Sequence, residues 1–306
     1  SAAKLLPVGT VLITTRATIG EVAITNKECC TNQGFQSLVV NDGFNNIFIV
    51  NWIKQNKNEL IKRAKGSTFA EISKSEIEKI SILIPNTDEQ DKIAHFLSLI
   101  DQRIETQNKI IEKYESLIKG LNDNLFCSVQ EESPKLRFPK HWDMWSKVKI
   151  GDILTIGNGR DYKHLRKGNI PVYGTGGYMT SVDNFLYDGE SVCIGRKGTI
   201  NKPFFLQGKF WTVDTLFYTH SFKNVLPVFC YFIFNRINWL KYNEASGIPS
   251  LSKTTIESIH VFIPSTEEQN EIINILLSVD SKIRLDRAIL TQYVRQKEYL
   301  LQQMFI

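Results

Sequence analysis

The sequence predicts an α+β protein in which β-rich mixed α/β domains are separated by two long helices that pack antiparallel as a coiled coil, within an internal tandem repeat. Three observations predict this fold class. The heptapeptide I-P-N-T-D-E-Q at residues 84–90 returns as I-P-S-T-E-E-Q at residues 263–269, so that Ile84 corresponds to Ile263. After each copy, apolar residues recur with the 3.5-residue period of a coiled coil. Before each copy lie short apolar runs separated by turn residues, a pattern typical of strands.

The composition is that of a globular chain with room for two domains. Of the 306 residues, 42% are hydrophobic and 23% are charged, which excludes disordered and collagen-like proteins. No apolar run reaches the roughly 18 residues that a membrane span needs, and the first ten residues lack the features of a signal peptide. The five cysteines form no C-x-x-C pair, so we expect a reducing compartment, the cytoplasm.

The repeat also predicts that the two copies are unequal. Gly9 and Arg16 match Gly189 and Arg196, and each of these pairs is one position farther apart than Ile84 and Ile263. A spacing that drifts by a residue or two is typical of loop insertions. Residues 135–180 then have no counterpart in the first copy, so we expect a first copy without its front part. Two explanations remain open: the chain is a fragment, or another chain supplies the missing part.

Each long helix is predicted to begin with a capping box. Thr87 would cap the first helix while Gln90 reaches back to it, and Thr266 and Gln269 repeat the device. At a rise of 1.5 Å per residue, a helix over residues 88–126 is about 58 Å long. An amphipathic helix of this length is unstable alone, so we expect it to pack against its own repeat.

One position of the apolar seam is polar in both copies, where Gln107 matches Asp286. Two interpretations remain open for this pair. It fixes the register of the helices at some cost in stability, or the seam is frayed there and both side chains face solvent.

The predicted domain limits follow from the repeat. They are residues 1–84 for the C-terminal part of the first β-rich domain, 85–127 for the first long helix, 128–134 for a polar linker, 135–262 for the second β-rich domain and 263–306 for the second long helix. In the second domain we predict strands over residues 149–156, 191–194, 204–206, 215–219 and 259–263. We also predict a helix over residues 227–238, which matches one over residues 47–63 in the first copy.

Positive charge is concentrated in the second domain. Residues 135–260 contain 17 lysines and arginines against 9 acidic residues, whereas the rest of the chain contains 20 against 23. Such a concentration is expected of a surface that faces phosphates. A basic surface without a function explains it equally well, so charge alone does not decide between the two.

Catalytic and metal-binding patterns are missing from the sequence. It has no P-loop, no H-E-x-x-H and no G-x-S-x-G motif. The five histidines are scattered without the spacing of metal ligands. We therefore expect no catalytic residue, no metal site and no cofactor in this chain.

Candidate contacts to nucleic acid lie in short basic loops. The turn G-R-K-G-T at residues 195–199 follows a predicted strand, and its cations and backbone N–H groups can face a phosphate. The basic loop at residues 159–167 can hold phosphates or read guanine edges. The candidates are Arg160, Lys163, His164, Arg166, Lys167, Tyr178, Arg196, Lys197, Thr199, Ser250 and Lys253, with Arg16, Thr18 and Lys74 in the first copy. For any one of them, a solvated loop position is the alternative.

Taken together, these features make the sequence resemble the specificity subunit of a type I restriction–modification system. That family opens a target-recognition domain with K-L-R-F-P…W, which stands here at residues 135–145. It carries Y-G-x-G-G, Y-D-G-E and I-G-R-K-G-T-I, here at residues 173–177, 187–190 and 194–200. It opens each spacer helix with I-P-x-x-x-E-Q-x-x-I, here at residues 84–93 and 263–272. The similarity covers nearly the whole chain, and the departure is the absent front of the first recognition domain.

The resemblance implies a DNA reader without catalytic activity. In the family, each recognition domain contacts one part of a bipartite double-stranded DNA target, and the paired helices set the distance between the parts. The same helices bind methyltransferase (modification) subunits, and restriction and translocase subunits join the complex. S-adenosylmethionine, ATP and magnesium belong to those partner subunits. A second copy of this chain, completing the truncated first domain, is a further partner to expect.

Two other functions remain open at this stage. A coiled-coil scaffold would assemble protein partners through its helices and bind protein through its globular parts. A single-chain nuclease or methyltransferase would turn over DNA in the presence of magnesium or a methyl donor. Selection of a motif from random duplexes separates the scaffold from DNA reading, and a turnover assay separates the enzyme.

Overall fold

The computed structural model describes residues 4–66, 70–127 and 133–305, and it confirms the predicted α+β class with two long helices. The chain divides into two compact units. Unit 1 consists of residues 1–112 and 284–306, and unit 2 consists of residues 113–283. Each long helix therefore contributes residues to both units.

The predicted domain limits stay a prediction. The compact units are divided differently, since each combines a β-rich part with segments of both long helices. Most of the predicted linker at residues 128–134 lies outside the described residues. Among the helices in the described ranges, none combines the length and the apolar character needed to cross a membrane.

Unit 1 is built on a small antiparallel sheet. Its elements are β1 (Val11–Thr14), β2 (Val22–Ile24), β3 (Phe35–Leu38), α1 (Asn46–Gln55), α2 (Lys57–Arg63), α3 (Lys74–Glu78) and the first part of the long helix α4 (Thr87–Leu125). The strand order is β2-β1-β3. Alternate residues of β1 are buried, as in a strand with one covered face. These residues, Val11 and Ile13, share a core with Phe48 of α1, Leu97 of α4 and Phe305.

The helix predicted over residues 47–63 is interrupted and forms α1 and α2. At the break, Asn56 donates hydrogen bonds from its backbone N–H (2.9 Å) and its side-chain Nδ2 (3.0 Å) to the backbone oxygen of Trp52. The backbone of Asn56 leaves the helical region there, with φ −100° and ψ 23°. The break is thus a change at one residue that the apolar pattern does not show.

Unit 2 contains two four-stranded sheets and one two-stranded sheet. Its elements are β4 (Ser146–Lys149), α5 (Ile150–Ile153), β5 (Thr155–Asn158), β6 (Lys167–Gly174), β7 (Gly177–Val182), β8 (Tyr187–Asp188), β9 (Ser191–Gly195), β10 (Phe204–Leu206), β11 (Lys209–Thr212), β12 (Leu216–His220), α6 (Pro227–Arg236), a 3₁₀ turn (Trp239–Tyr242), α7 (Lys253–Ser258), β13 (His260–Ile263) and the first part of the long helix α8 (Thr266–Met304). The strand orders are β10-β9-β12-β5, β7-β6-β11-β8 and β13-β4. Its core gathers Phe126, Ile150, Phe229, Trp239 and Leu276.

Four of the five strands predicted in the second domain are confirmed as β9, β10, β12 and β13, and the predicted helix is α6. The fifth strand, over residues 149–156, is wrong at its centre, where α5 separates β4 from β5. Ile150 and Ile153 lie three residues apart and are both buried, which is the spacing of a helix face. The carboxylate of Asp152 accepts a hydrogen bond from the backbone N–H of Lys149 at 3.1 Å and caps this short helix.

The sheet of unit 1 corresponds to part of the first sheet of unit 2. The order β2-β1-β3 matches β10-β9-β12, and the strand registers agree when Val11 is matched with Val192. The match of Arg16 with Arg196 is therefore wrong by one position. Arg16 corresponds to Lys197, because the strand pairing and not the shared residue type fixes the alignment.

Unit 2 has one strand more at the edge of this sheet. β5 pairs with β12, and it belongs to the stretch that has no counterpart in the first copy. In the described part of unit 1, no strand pairs with the outer edge of β3. Phe35 of β3 is 39% exposed, whereas Leu216, its counterpart in β12, is fully buried.

The starts of α4 and α8 differ from the predicted capping box. Asn86 caps α4, since its Oδ1 accepts a hydrogen bond from the backbone N–H of Glu89 at 3.0 Å. Ser265 caps α8, since its Oγ accepts from the N–H of Glu268 at 3.3 Å. The predicted threonine caps are wrong by one residue, because a short polar side chain already stands where it can reach the third N–H.

The glutamines of the predicted capping box instead bond the neighbouring globular part. Gln90 is buried, and its Oε1 accepts a hydrogen bond from the backbone N–H of Asn45 at 2.9 Å, at the start of α1. Gln269 is buried in the same way, and its Oε1 accepts from the N–H of Leu226 at 2.8 Å, at the start of α6. Each glutamine thus satisfies a helix-start N–H that has no partner within its own helix.

Within unit 1, the two long helices run antiparallel. Asp101 of α4 forms an ion pair with Lys297 of α8. Farther along α4, the Nε2 of Gln107 donates to the Oδ1 of Asp286 at 3.0 Å and to its backbone oxygen at 3.2 Å, and both side chains are buried. The structure therefore favours the register-fixing interpretation of this pair over the solvent-facing one.

Candidate nucleic-acid interface

A tight turn with two glycines follows β9 at residues 195–199. A Cβ at Gly195 would lie 2.2 Å from the backbone oxygen of Thr199, so no larger residue fits there. Gly198 has a φ of +89°, in the left-handed region that favours glycine. The turn therefore presents Arg196 and Lys197 side by side, and both side chains are exposed.

Side chains rather than backbone groups of this turn are available to an anion. The N–H groups of Arg196 and Lys197 donate to the oxygen of Thr215 at 2.8 and 3.2 Å. The N–H of Gly198 donates to the oxygen of Pro249 at 2.8 Å. The prediction that these backbone groups face a phosphate is wrong, because neighbouring loops already bond them.

The loop before α7 brings a hydroxyl to the turn. Ser250 pairs with Lys197 in an isolated β-bridge, and the N–H of Leu251 donates to the oxygen of Arg196 at 2.9 Å. The guanidinium carbon of Arg196 lies 5.9 Å from the ring centre of Phe217, a cation–π distance. The backbone of Arg196 and Lys197 is thus held by the loop before α7, and the Arg196 guanidinium lies against Phe217.

Lys253 and Thr199 are less exposed to solvent than Arg196 and Lys197. Lys253 stands at the start of α7 and forms an ion pair with Glu257 at 3.6 Å. Burial, followed by the charge of Lys253, lowers the pKa of the His220 imidazole, so His220 is neutral at neutral pH. Thr199 is half-buried. Lys253 therefore adds less free positive charge than Arg196 or Lys197.

The basic loop at residues 159–167 is anchored where it begins. A Cβ at Gly159 would lie 1.9 Å from the backbone oxygen of Val213, so the loop passes very close to the backbone of Val213 there. The N–H of Arg160 donates to the oxygen of Thr212 at 2.8 Å, and the indole Nε1 of Trp211 donates to the oxygen of Arg160 at 2.8 Å. These bonds fix the backbone and leave the Arg160 side chain exposed.

The rest of this loop carries further exposed side chains. They are Lys163, His164, Arg166 and Lys167. The N–H of Arg166 donates to the carboxylate of Asp183 at 3.1 Å, which ties the loop to the end of β7. The His164 ring packs edge-on against Trp211, with the ring centres 5.9 Å apart. His164 thus has a structural contact besides its predicted role.

Both basic segments are attached to one connection, residues 212–216 between β11 and β12. Arg160 bonds Thr212, and Arg196 bonds Thr215. The turn between β6 and β7 lies against them as well, since a Cβ at Gly198 would be 3.7 Å from the Oγ1 of Thr175. Loops far apart in sequence therefore meet at one side of unit 2.

We call six exposed side chains of these segments the cationic surface: Arg160, Lys163, Arg166, Lys167, Arg196 and Lys197. None of them forms an ion pair with an acid in the part of the chain that the structure describes. Three exposed acids lie among these segments: Asp161 within the basic loop, Asp183 beside Arg166 and Asp214 in the connection that anchors both segments. Exposed cations without acidic partners attract polyanions.

Tyr178 lies on β7, which leaves the turn beside the cationic surface. It is 63% exposed, its hydroxyl is 3.1 Å from that of Ser181, and its ring is 6.2 Å from that of Tyr173. Met179 and, after β7, Phe185 are exposed as well and were not among the predicted residues. Apolar residues carry no charge signal, and the burial of β7 does not alternate, because the adjacent Tyr178 and Met179 are both exposed. The role of Tyr178 in binding stays a prediction.

The first copy does not reproduce the cationic surface. The Nε of Arg16 lies 2.9 Å from the Oε1 of Glu71, and Lys74 pairs with Glu78 at 3.5 Å. Thr18 is exposed on the turn after β1. The candidate cations of unit 1 are thus neutralised by acids of the same unit.

Reactive groups near the core of unit 2 are not placed for chemistry. Burial raises the pKa of the Cys193 thiol to about 12, and burial also raises the pKa of Cys230. Both thiols are protonated at neutral pH and therefore poor nucleophiles. Over the described ranges, no group of three or more His, Cys, Asp or Glu side chains is arranged to hold a metal ion.

The fold and this surface define a class of protein: a tandem α+β repeat with long helices, in which one repeat carries exposed cations without acidic partners. The family model of the type I restriction modification DNA specificity domain matches residues 1–116 and 143–292. The chain therefore belongs to that family.

Relatives of known name are specificity subunits. The chain is 33% identical over 167 residues to the type I restriction enzyme MjaIX specificity subunit of Methanocaldococcus jannaschii, covering 51% of this chain and 38% of that protein. It is 23% identical over 301 residues to the EcoprrI specificity subunit of Escherichia coli, covering 91% of this chain and 73% of that protein. The chain thus spans well under half of the first relative.

Solved structures share the fold. The S subunit of a type I restriction–modification system from M. genitalium matches with a TM-score of 0.70 and 20% identity, covering 99% of this chain and 84% of that one. The HsdS subunit of Thermoanaerobacter tengcongensis matches with a TM-score of 0.52 and 15% identity, covering 100% of this chain and 83% of that one.

Proposed function

We propose that this chain is a DNA-recognition subunit of a type I restriction–modification complex and that it catalyses no reaction itself. One observation carries the proposal: six exposed cations without acidic partners lie on loops of unit 2, in a chain that belongs to a DNA specificity family. Phosphate oxygens are the ligands that such exposed lysines and arginines bind on a duplex.

Phosphate contacts and base contacts come from different segments of unit 2. Arg196 and Lys197, whose backbones are fixed by Thr215, hold phosphates and set the register of the duplex. Side chains farther along the loop at residues 159–167 reach base edges, where arginine and lysine favour guanine. Changes in that loop are therefore proposed to alter the sequence that is bound.

The long helices supply the second part of the proposal. α4 and α8 set the distance between two parts of a bipartite target and dock methyltransferase subunits, and restriction and translocase subunits join them. S-adenosylmethionine, ATP and magnesium are proposed to belong to those subunits. The buried Gln107–Asp286 pair supports this role, because a fixed register keeps a spacer at one length. The complex is proposed to act in the cytoplasm, where the free cysteines of this chain stay reduced.

A second copy of this chain is proposed to complete unit 1. The outer edge of β3 supports the proposal, since β5 covers the equivalent edge in unit 2. An unpaired strand edge accepts a strand from another molecule by backbone hydrogen bonds.

Selection from random DNA duplexes tests the proposed function, with the purified chain alone and together with its methyltransferase subunit. We expect one motif to be enriched by the chain alone, and a longer, split motif in the presence of the partner. A parallel assay with magnesium and S-adenosylmethionine is expected to show no cleavage or methylation by the chain alone. Binding without any enriched motif, or turnover by the isolated chain, would contradict the proposal.

A further inference from the structure

In unit 1, the turn that corresponds to residues 195–199 has an acid, Glu71, beside its cation Arg16. Arg16 corresponds to Lys197 in the alignment that the strand registers define. The residues that face these cations also correspond: Glu71 bridges to Arg16 as Ser250 bridges to Lys197. The two repeats thus place a carboxylate and a hydroxyl at the same point beside a cation.

One backbone hydrogen bond next to this point is the same in both repeats. The N–H of Ile72 donates to the oxygen of Thr15 at 3.1 Å, and the N–H of Leu251 donates to that of Arg196 at 2.9 Å. Equivalent main-chain bonds mean that the side chains at Glu71 and Ser250 start from equivalent places. The main difference at this position is therefore the side chain, a carboxylate in unit 1 and a hydroxyl in unit 2.

Lys65 fixes the backbone of Glu71, and Arg16 holds its carboxylate. Its backbone N–H and oxygen both bond Lys65 at 2.9 Å, and its Oε1 lies 2.9 Å from the Nε of Arg16. In unit 2, the structure describes no acid that pairs with Lys197 or Arg196. The residue of unit 2 that is equivalent to Lys65 is Glu244, whose carboxylate accepts a hydrogen bond from the Oγ of Ser252 at 2.7 Å and pairs with neither cation. Unit 1 thus holds a carboxylate against its cation, and unit 2 does not.

We propose that Glu71 occupies in unit 1 the anion position that a DNA phosphate takes beside Lys197 and Ser250 in unit 2, and that it thereby masks Arg16. The inference rests on the proposed function, since it assumes that unit 2 binds phosphate. It identifies a second phosphate site that is closed by an internal carboxylate. Phosphate binding by the chain is then supplied mainly by unit 2.

The masking pair is exposed enough to be removed without unfolding the unit. The side chains of Arg16 and Glu71 are 49% and 44% exposed, and ion pairs at such exposure contribute little to stability. Glu71→Ser places at this position the residue that unit 2 has at position 250. It removes one negative charge and frees one cation.

The test measures binding of the full chain to a fluorescent 24-base-pair duplex between 50 and 300 mM KCl. We expect Glu71→Ser to raise affinity about 3- to 10-fold at the lowest salt and to steepen the salt dependence by about one unit, since one more phosphate is neutralised. The double change Glu71→Ser with Arg16→Ala is expected to lose this gain. Glu59→Ser is the matched control, because it also frees an arginine of unit 1 from an ion pair, Arg63 at 2.8 Å.

The outcomes separate this inference from the proposed function. A gain no larger than that of Glu59→Ser, or a gain that persists without Arg16, overturns the masked site. Loss of Arg160, Arg196 and Lys197 in the wild-type background tests the proposed function by itself. If that triple change leaves the affinity unaltered, unit 2 does not bind phosphate, and both conclusions fall together.

Discussion

Replacing Arg160, Arg196 and Lys197 together by alanine is expected to lower the affinity for duplex DNA about 100-fold at 100 mM salt. Hydrogen bonds to charged groups contribute about 1.5–3 kcal/mol each, part of which solvent recovers. Each lost phosphate contact also reduces the slope of log affinity against log salt by about 0.9, so the slope should fall by nearly three. Fluorescence anisotropy over a salt series measures both quantities.

A matched variant distinguishes these three cations from positive charge in general. Arg63 and Lys109 pair with Glu59 and Glu105 of the same helix, and Lys79, just after α3, pairs with Glu76 of α3. Replacing them by alanine removes the same charge and is expected to change affinity less than about 5-fold. Equal losses in the two triple variants would mean that net charge and not the cationic surface binds DNA.

Glu268→Gln is expected to destabilise unit 2 by about 3 kcal/mol, because it leaves a guanidinium without its carboxylate. Arg137 donates from Nε and Nη2 to the two carboxylate oxygens of Glu268, both at 2.9 Å. Glu268 is 1% exposed, and these hydrogen bonds raise the pKa of Arg137. The pair ties the segment at residues 135–145 to the first turn of α8.

Urea unfolding, followed by circular dichroism, measures this effect. Glu89→Gln is the control, since Glu89 is the repeat counterpart of Glu268 and is exposed. We expect the control to change the free energy of unfolding by less than about 0.5 kcal/mol. Equal effects of the two changes would show that the buried pair does not hold the segment in place.

The long helices and most strands could be predicted because their signals are local and repeated. A seam with a constant period and a strand between two turns need no knowledge of the rest of the chain. The errors arose where the backbone changes over one or a few residues. A non-helical backbone at Asn56 divides the predicted helix, and α5 interrupts a run of strand-forming residues because Ile150 and Ile153 are both buried.

The sequence predicts which basic residues belong to the candidate site. It does not predict which of them form ion pairs. The basic loops are visible in the sequence, and the structure attaches both to residues 212–216. What the sequence does not show is which cations are already paired. Glu71 lies far along the chain from Arg16, and only folding brings them together. The same holds for the N–H of Gly198, which the fold bonds to Pro249.

Amide hydrogen exchange with and without a duplex carrying the selected motif tests most directly whether the cationic surface contacts DNA. We expect slower exchange on binding at residues 159–167, 175–178 and 195–199, because a bound duplex excludes water from these loops and restrains them. The exposed face of α3 in unit 1 is expected to exchange at an unchanged rate. Saturated binding with no slowing at those three segments, and slowing elsewhere instead, would contradict the account.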